Sequence, residues 1–267
     1  MTDENISLLT DKELAWLTTL NLGTITGATQ FMSALTNQVF LISFKNQMQF
    51  VFKRLNLEAR NRDQRRCELG VQNLASCNGL SAAVIADNEK FRVLSYIKGN
   101  VLSEQAVTSG TLELLASQFK LIHQLPAQHA SEQDLAGELA HLKTQISGNI
   151  DESEYLSFLK LAKQLDDESE KNTLCHGDLS LNNIIQEENG TVKVLDWEYT
   201  VLACPAYDLG FCCAINEFNQ VQIKALIEHY YQLNKSNLAL SLTFLQKQCH
   251  LYLSFFNYLN RLWHSAF

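Results

Sequence analysis

Residues 174–199 read LCHGDLSLNNIIQEENGTVKVLDWEY and crowd oxygen-bearing side chains into a short span. Asn189-Gly190 is a dipeptide favoured in two-residue hairpin turns, because both positions tolerate positive φ, and it separates the runs NIIQ and VKVLD. Pairing outward from such a turn sets 188 against 191 and, at the open end, Asn183 against Asp196. Directly opposed residues bring their Cβ atoms to about 4.5 to 5.5 Å, so an amide oxygen and a carboxylate would be presented together. Hard oxygen donors of this kind suit Mg²⁺, which completes its shell with water and phosphate oxygens. Asp178, in a His-Gly-Asp loop just upstream, is the candidate general base, and His176 is expected to organise that loop rather than carry protons. With Lys53 on an earlier strand and Glu68 on the next helix, these groups are the parts of a phosphoryl-transfer site. Catalysis there is mainly positioning and charge neutralisation, and no nucleophilic Ser or Cys is required.

Those side chains need a scaffold, and the hydrophobic pattern supplies one. A short helix is expected over 6–20. Period-two runs VFLISF and FVFKRL flank a polar KNQMQ turn, a helical stretch runs from about Leu57 to Ser76, and FRVLSYI reads as a further strand. Alternation along FVFKRL sends Lys53 and Arg54 to opposite faces, with Lys53 toward the cleft and Arg54 toward solvent. Beyond Gly99 the text is helical almost to the end, broken once by strand-like residues between Leu174 and Trp197. Leu112, Leu115, Phe119 and Ile122 mark one helix stopping at Pro126, and Leu251, Phe255, Tyr258 and Leu262 form a stripe on the last. This divides the chain into 1–98 and 99–267, with no internal repeat.

Composition excludes several classes of function. The chain has 267 residues, 46% of them hydrophobic, and a formal charge of -8, so it is large enough for a substantial core and on average repels polyanions. Nucleic acid and membrane are therefore not expected partners. Arg60, Arg62, Arg65 and Arg66 form the one basic cluster, and three of the four fit a solvated helix face flanked by Glu58, Asp63 and Glu68. The amino terminus lacks the basic start and apolar run of a signal peptide, and no stretch is long and apolar enough for a membrane span. A cytoplasmic location is expected. The seven cysteines include no Cys-x-x-Cys pair and fit reduced core thiols, with neither disulfides nor a structural metal.

On HGDLSLNN, VLDWEY and the downstream PAYDLG, the chain resembles the choline, ethanolamine and thiamine kinases together with the aminoglycoside phosphotransferases. The resemblance spans most of the chain. It implies an α+β, two-lobed protein-kinase-like fold, with a small antiparallel-sheet lobe for nucleotide and a mostly helical lobe carrying a catalytic β-hairpin and the acceptor site. ATP and Mg²⁺ are the implied cofactors, bound between the lobes. Position by position, Asp178 would orient the acceptor hydroxyl and take its proton, and Asn183 and Asp196 would hold Mg²⁺. Lys53 of FVFK would contact phosphates, Glu68 of RRCELG would orient that lysine, and the backbone at Ser95, Tyr96 and Ile97 would meet the adenine. The stretch MSALTNQVF departs from the family by carrying Met32, Ser33 and Ala34 where many relatives have a glycine pair, while Thr36-Asn37 fits.

DWEY resembles the choline and thiamine kinase branch more than the antibiotic-modifying branch. The implied acceptor is a hydroxyl on a small cationic metabolite, choline or ethanolamine first and thiamine second. Quaternary ammonium groups are held over aromatic faces, so Trp197, Tyr207 and Trp263 are cage candidates, with Glu198 as the carboxylate. Tyr252, Phe255, Phe256 and Tyr258 read first as a core stripe. Asp208 is expected to bond the catalytic loop or cap a helix, and His123 to be a satisfied core or helix-terminal histidine. An aminoglycoside phosphotransferase is the alternative within the class. A catalytically inactive nucleotide-binding protein is the alternative outside it, although no base or metal ligand is missing.

Overall fold

The computed structural model describes residues 6–32, 37–56, 58, 62–236 and 241–266. Ser33, Ala34, Thr36 and Arg60 lie outside the described residues. The chain folds as two compact units, Met1–Gly99 with Glu187–Glu198, and Asn100–Gln186 with Tyr199–Phe267. None of the described helices is long and apolar enough to cross a membrane.

In the first unit a capping box between Thr10 and Glu13 starts α1 (Asp11–Thr19), each satisfying the other's otherwise orphaned amide. Strands β1 (Ile25–Phe31), β2 (Gln38–Phe44), β3 (Gln49–Arg54), β4 (Val84–Asp87) and β5 (Phe91–Ser95) form an antiparallel sheet in the order β1-β2-β3-β5-β4, with α2 (Arg62–Cys77) between β3 and β4 in sequence. Phe40, Ile42 and Phe44 of β2 and Phe50 and Phe52 of β3 share one face, as period two requires, and bury with Leu9, Leu17 and Val93. Full burial of a side chain such as Phe52 contributes roughly 1.5 to 3 kcal/mol. Trp16 of α1 closes this face by ring contacts with Phe52 and Phe91. Arg54 points to the α1 side, where it pairs with the buried Glu13 instead of standing in solvent. Lys53 occupies the other face, in register with Arg92 of β5. The period-two pattern anticipated β2, β3 and β5 but not the edge strands. β1 (ITGATQF) is rich in Thr and Gly, and β4 has only four residues, so neither carries a clear alternation.

After β6 (Gly99–Val101), the second unit is mainly helical. It contains α3 (Ser109–His123), α4 (Leu135–Gln145), α5 (Glu152–Glu168), α6 (Pro205–Ile215), α7 (Gln220–Asn234) and α8 (Leu242–Ala266). Leu112, Leu115, Phe119 and Ile122 of α3 are buried, the three-and-four spacing having put them on one stripe. Pro205 opens α6, where its missing N–H costs nothing. Gly210 lets α6 approach α8 closely: a Cβ there would lie 2.5 Å from that of Tyr252. A small sheet of β7 (Ser131–Glu132), β8 (Thr173–Cys175) and β11 (Val201–Ala203), in the order β7-β11-β8, holds the two ends of the candidate catalytic segment.

The turn between β9 (Ile184–Glu187) and β10 (Val192–Val194) corrects the expected hairpin register. The amide of Gly190 donates to Glu187 O at 2.9 Å and that of Glu187 to Thr191 O at 2.8 Å. This is a longer loop in which Gly190 alone takes positive φ (85°), whereas the expected two-residue turn needs Asn189 there as well. Asn189 instead spends its side-chain oxygen on the amide of Thr191. Pairing therefore starts at 187 with 191, not 188 with 191, and a slip of one residue removes the count that set Asn183 opposite Asp196.

Candidate functional site

In the first unit, Asp196 follows β10 with φ 62°, a left-handed backbone that Asp tolerates better than most residues. Its surroundings fix it on both sides. The amide of Val194 donates to Leu80 O at 2.7 Å, and the buried indole of Trp197 donates to Ser81 Oγ at 3.0 Å. Gln72 of α2 holds the same hydroxyl. Lys53 Nζ donates to Asp196 Oδ1 at 2.9 Å. Burial works to lower the Lys53 pKa, but Asp196, Glu68 and Glu198 outweigh it and hold the ammonium above its ordinary value, so Lys53 is a fixed cation at neutral pH.

Among the described residues, Glu68 makes no hydrogen bond to Lys53. One of its oxygens takes Arg92 Nη1 at 2.5 Å and the other takes Arg65 Nη1 at 3.0 Å, so it acts on Lys53 through its field. Arg65 and Glu68 are both buried, whereas Arg62 and Arg66 are exposed, which corrects the reading of Glu68 as part of a solvated flank. Arg92 was not singled out in the sequence, and Arg65 was read only as part of the basic cluster and Asn37 only as fitting the family pattern. The available signals were Arg65 three residues before Glu68, on one helix face, and an arginine set inside the apolar run of β5.

Ser95 uses its amide and its hydroxyl on Ala83, so the stretch 96–98 beyond β5, with Ile97 buried and Tyr96 half-buried, is the adenine-contact candidate. The proposed aromatic cage needs correction. Trp197 is buried with its N–H satisfied, and Tyr207 is packed against Tyr252 and Phe256, so neither offers a free ring face. Glu198 is likewise buried, bonded by Asn37 and near Arg65. Trp263 is 41% exposed at the end of α8.

In the second unit, Gly177 has φ 79°, and a Cβ there would fall 2.0 Å from the carbonyl oxygen of Tyr199, so the His-Gly-Asp turn admits only glycine. His176 is fully buried and its Nδ1 accepts from the Asp178 amide at 3.2 Å, the loop-organising part expected of it. Asn183 Nδ2 donates to Asp178 O at 2.8 Å and to Asp178 Oδ2 at 3.1 Å. That bonding ties the Asn183 side chain to the candidate base.

Asp208 at the start of α6 holds this loop from beneath. Its carboxylate accepts from the amides of His176 at 2.8 Å and Gly177 at 2.9 Å and bonds His123 Nε2 at 3.0 Å, and His123 Nδ1 reaches Tyr230 OH at 2.8 Å. Burial alone would raise the Asp208 pKa, but the His123 and backbone bonds outweigh it and depress it. A depressed pKa stabilises the fold above the ordinary carboxylate range, and that stability is lost as pH falls through the lowered value. Asp208→Asn is expected to cost about 2 to 4 kcal/mol at pH 7, since an amide cannot accept all three N–H groups. Denaturant unfolding of both proteins should show the gap intact at pH 5 and narrowing only below about 3.9, the ordinary aspartate value. A gap already closing at pH 6 would assign it to another group.

A family model described as the phosphotransferase enzyme family matches residues 27–239. A search of curated proteins found no significant match. Among solved structures, the chain is similar to a choline kinase from Cryptosporidium parvum, with 18% identity, a TM-score of 0.72, and 96% of this chain and 90% of that one covered. It is similar to the choline kinase LicA from Streptococcus pneumoniae, with 20% identity, a TM-score of 0.72, and coverage of 96% and 89%. It is also similar to a streptomycin-ATP-APH(2″)-IIa ternary complex, with 15% identity, a TM-score of 0.66, and coverage of 97% and 95%. The helices and antiparallel sheets thus form a two-lobed, protein-kinase-like α+β fold. With the family model covering most of its length, the chain belongs to the phosphotransferase enzyme family.

Proposed function

We propose that the chain transfers the terminal phosphoryl group of ATP, with Mg²⁺, to a hydroxyl of a small cationic metabolite, choline or ethanolamine in the first instance and thiamine in the second. The observation that carries this reading is the Lys53–Asp196 contact at 2.9 Å, a fixed cation against a partly exposed carboxylate on a strained, well-anchored backbone. A phosphate oxygen can take over the lysine and a divalent cation the carboxylate. The ATP complex of the similar APH(2″)-IIa supports the choice of nucleotide.

Hard oxygen donors suit Mg²⁺, and the Asp196 carboxylate and the amide oxygen of Asn183 are each of that type. Mg²⁺, when bound, would neutralise charge on the phosphates. Asp178, held by Asn183, accepts the proton of the acceptor hydroxyl as the oxygen attacks phosphorus. Lys53 binds nucleotide phosphates, residues 96–97 meet the base, and Glu68 fixes the charge balance around Lys53 through its two arginines. In this reading 1–98 serves the nucleotide and 99–267 the acceptor, and Trp263 is the one aromatic cage candidate retained. The working location is the cytoplasm.

The deciding experiment is ADP release with ATP and Mg²⁺ against choline, ethanolamine, thiamine and an aminoglycoside panel. Turnover of one of the first three, abolished by chelating Mg²⁺, is the expected result. Turnover of aminoglycosides alone moves the chain to the antibiotic-modifying branch. Metal-independent nucleotide stabilisation with no turnover of any acceptor identifies an inactive nucleotide-binding protein.

A further inference from the structure

The candidate catalytic loop is tied to α6 at both of its ends. At its start, Asp208 takes the amides of His176 and Gly177. At its far end, the amide of Leu181 donates to Asn216 Oδ1 at 2.9 Å. Asp208 stands in the first turn of α6 and Asn216 caps its last, so at 1.5 Å per residue the two anchors are about 12 Å apart along the axis. The Asp178 amide on His176 Nδ1, the Ser180 amide on Asp178 O and the two bonds of Asn183 Nδ2 to Asp178 are internal to the loop. Such bonds travel with the loop and do not fix it to a helix. Leu179 and Leu181 are buried, but apolar packing is non-directional and sets depth more than register.

Helix capping does not account for the asparagine. Asn is favoured at a helix end where the backbone must turn left-handed, but Asn216 has φ -92°. The left-handed residue is Glu217, with φ 51°. The amides of Glu217 and Phe218 close the helix on Ala214 O at 3.2 Å and Cys213 O at 3.1 Å, main-chain bonds that any residue at 216 allows. What the side chain of Asn216 adds is direction. Its Nδ2 donates to Cys212 O at 2.8 Å, one turn back, so the two ends of the amide are divided between the helix and the loop. A flipped amide would set its NH₂ against the Leu181 N–H.

We propose that Asn216 is a positioning residue for phosphoryl transfer, holding the exit of the loop through the Leu181 amide so that Asp178 stays in place for the acceptor hydroxyl. This rests on the phosphotransferase reading above and adds a residue to it. Leu181 is three residues from Asp178, so releasing the exit moves the base, and a misplacement of about 1 Å can cost on the order of a hundredfold in rate. The nucleotide candidates Lys53 and 96–97 belong to the other unit. Loss of Asn216 is therefore a loss of rate and not of nucleotide affinity, whereas a merely structural cap would change only fold stability.

The test compares wild type, Asn216→Leu, Asn216→Asp, Asp178→Asn and the double variant of Asn216→Leu with Asp178→Asn, using the full chain. The readouts are single-turnover rates of ADP formation with the panel acceptor that wild type uses, ATP affinity by calorimetry, and urea unfolding. Leucine matches asparagine in branching but offers the Leu181 amide no acceptor, and it should lower the rate about thirtyfold with ATP affinity within about twofold of wild type. Aspartate keeps an oxygen for that amide, loses the donor to Cys212 O and sets a negative charge at the C-terminal end of α6. It should therefore unfold at lower urea than wild type and yet keep its rate within about threefold. In the Asp178→Asn background, Asn216→Leu should slow the rate by less than about threefold more, because the base it positions is already gone. Asn216→Ala takes the place of the leucine variant if that does not fold. An aspartate variant as slow as the leucine one, an undiminished effect in the Asp178→Asn background, or ATP affinity that falls with the rate overturns the proposal. A wild type that turns over none of the acceptors overturns the phosphotransferase reading and this proposal together. Normal wild-type turnover with an unaltered Asn216→Leu overturns this proposal alone.

Discussion

Asp178→Asn is expected to lower kcat by about 100- to 10,000-fold, the range for loss of a general base, while ATP affinity stays within about twofold of wild type. The substitution keeps the shape of the side chain and so separates chemistry from folding. Asp178 is only half-buried, and its place is set by main-chain bonds that do not depend on its charge: its amide on His176 Nδ1 and its carbonyl accepting from Asn183. The buried His176 uses Nδ1 on that loop amide, so it does not substitute as a base. Single-turnover rates and nucleotide titrations on one preparation decide the matter. If nucleotide affinity falls as far as the rate does, Asp178 is a binding residue and the base lies elsewhere.

The second large effect is expected at Asp196. Asp196→Asn should cut turnover by about a thousandfold and remove the Mg²⁺ dependence of ATP stabilisation, since several kcal/mol of phosphate charge would go uncompensated and each tenfold is about 1.4 kcal/mol. Asparagine is the informative replacement because it also tolerates the positive φ of 62°, so backbone strain is not added to the loss of charge. The substitution also leaves Lys53 without its closest anion. With the Asp196 side chain 35% exposed, that pair is partly screened and its loss should cost only about 1 kcal/mol in urea. A stability loss of several kcal/mol together with retained Mg²⁺-dependent turnover would make Asp196 a structural counter-ion.

These expectations depend on features of unequal legibility. Apolar periodicity is local, so Phe40, Phe52, Leu115 and Phe119 identified their own buried faces before any coordinates, and the central strands and the longer helices followed. The edge strands β1 and β4 did not, because an edge needs only one bonded neighbour and tolerates weak patterning. Asn189-Gly190 announced a turn but not its length, because one positive-φ residue serves a longer loop as well as two serve a short one, and that single residue sets the register of everything beyond it.

The sequence by itself determined the parts, a lysine on a β-strand, a His-Gly-Asp loop, an asparagine and an aspartate before Trp197, and the resemblance those motifs carry implied the fold class. Those are fixed by residue type and near spacing. Tertiary structure alone decided the partners: Lys53 with Asp196, Glu68 shared by Arg65 and Arg92, and Trp197 and Tyr207 in the interior. Charge pairing falls off within a few ångströms and ignores chain distance. Which of several nearby cations claims a given carboxylate is therefore set by the packed geometry and cannot be read from spacing along the chain.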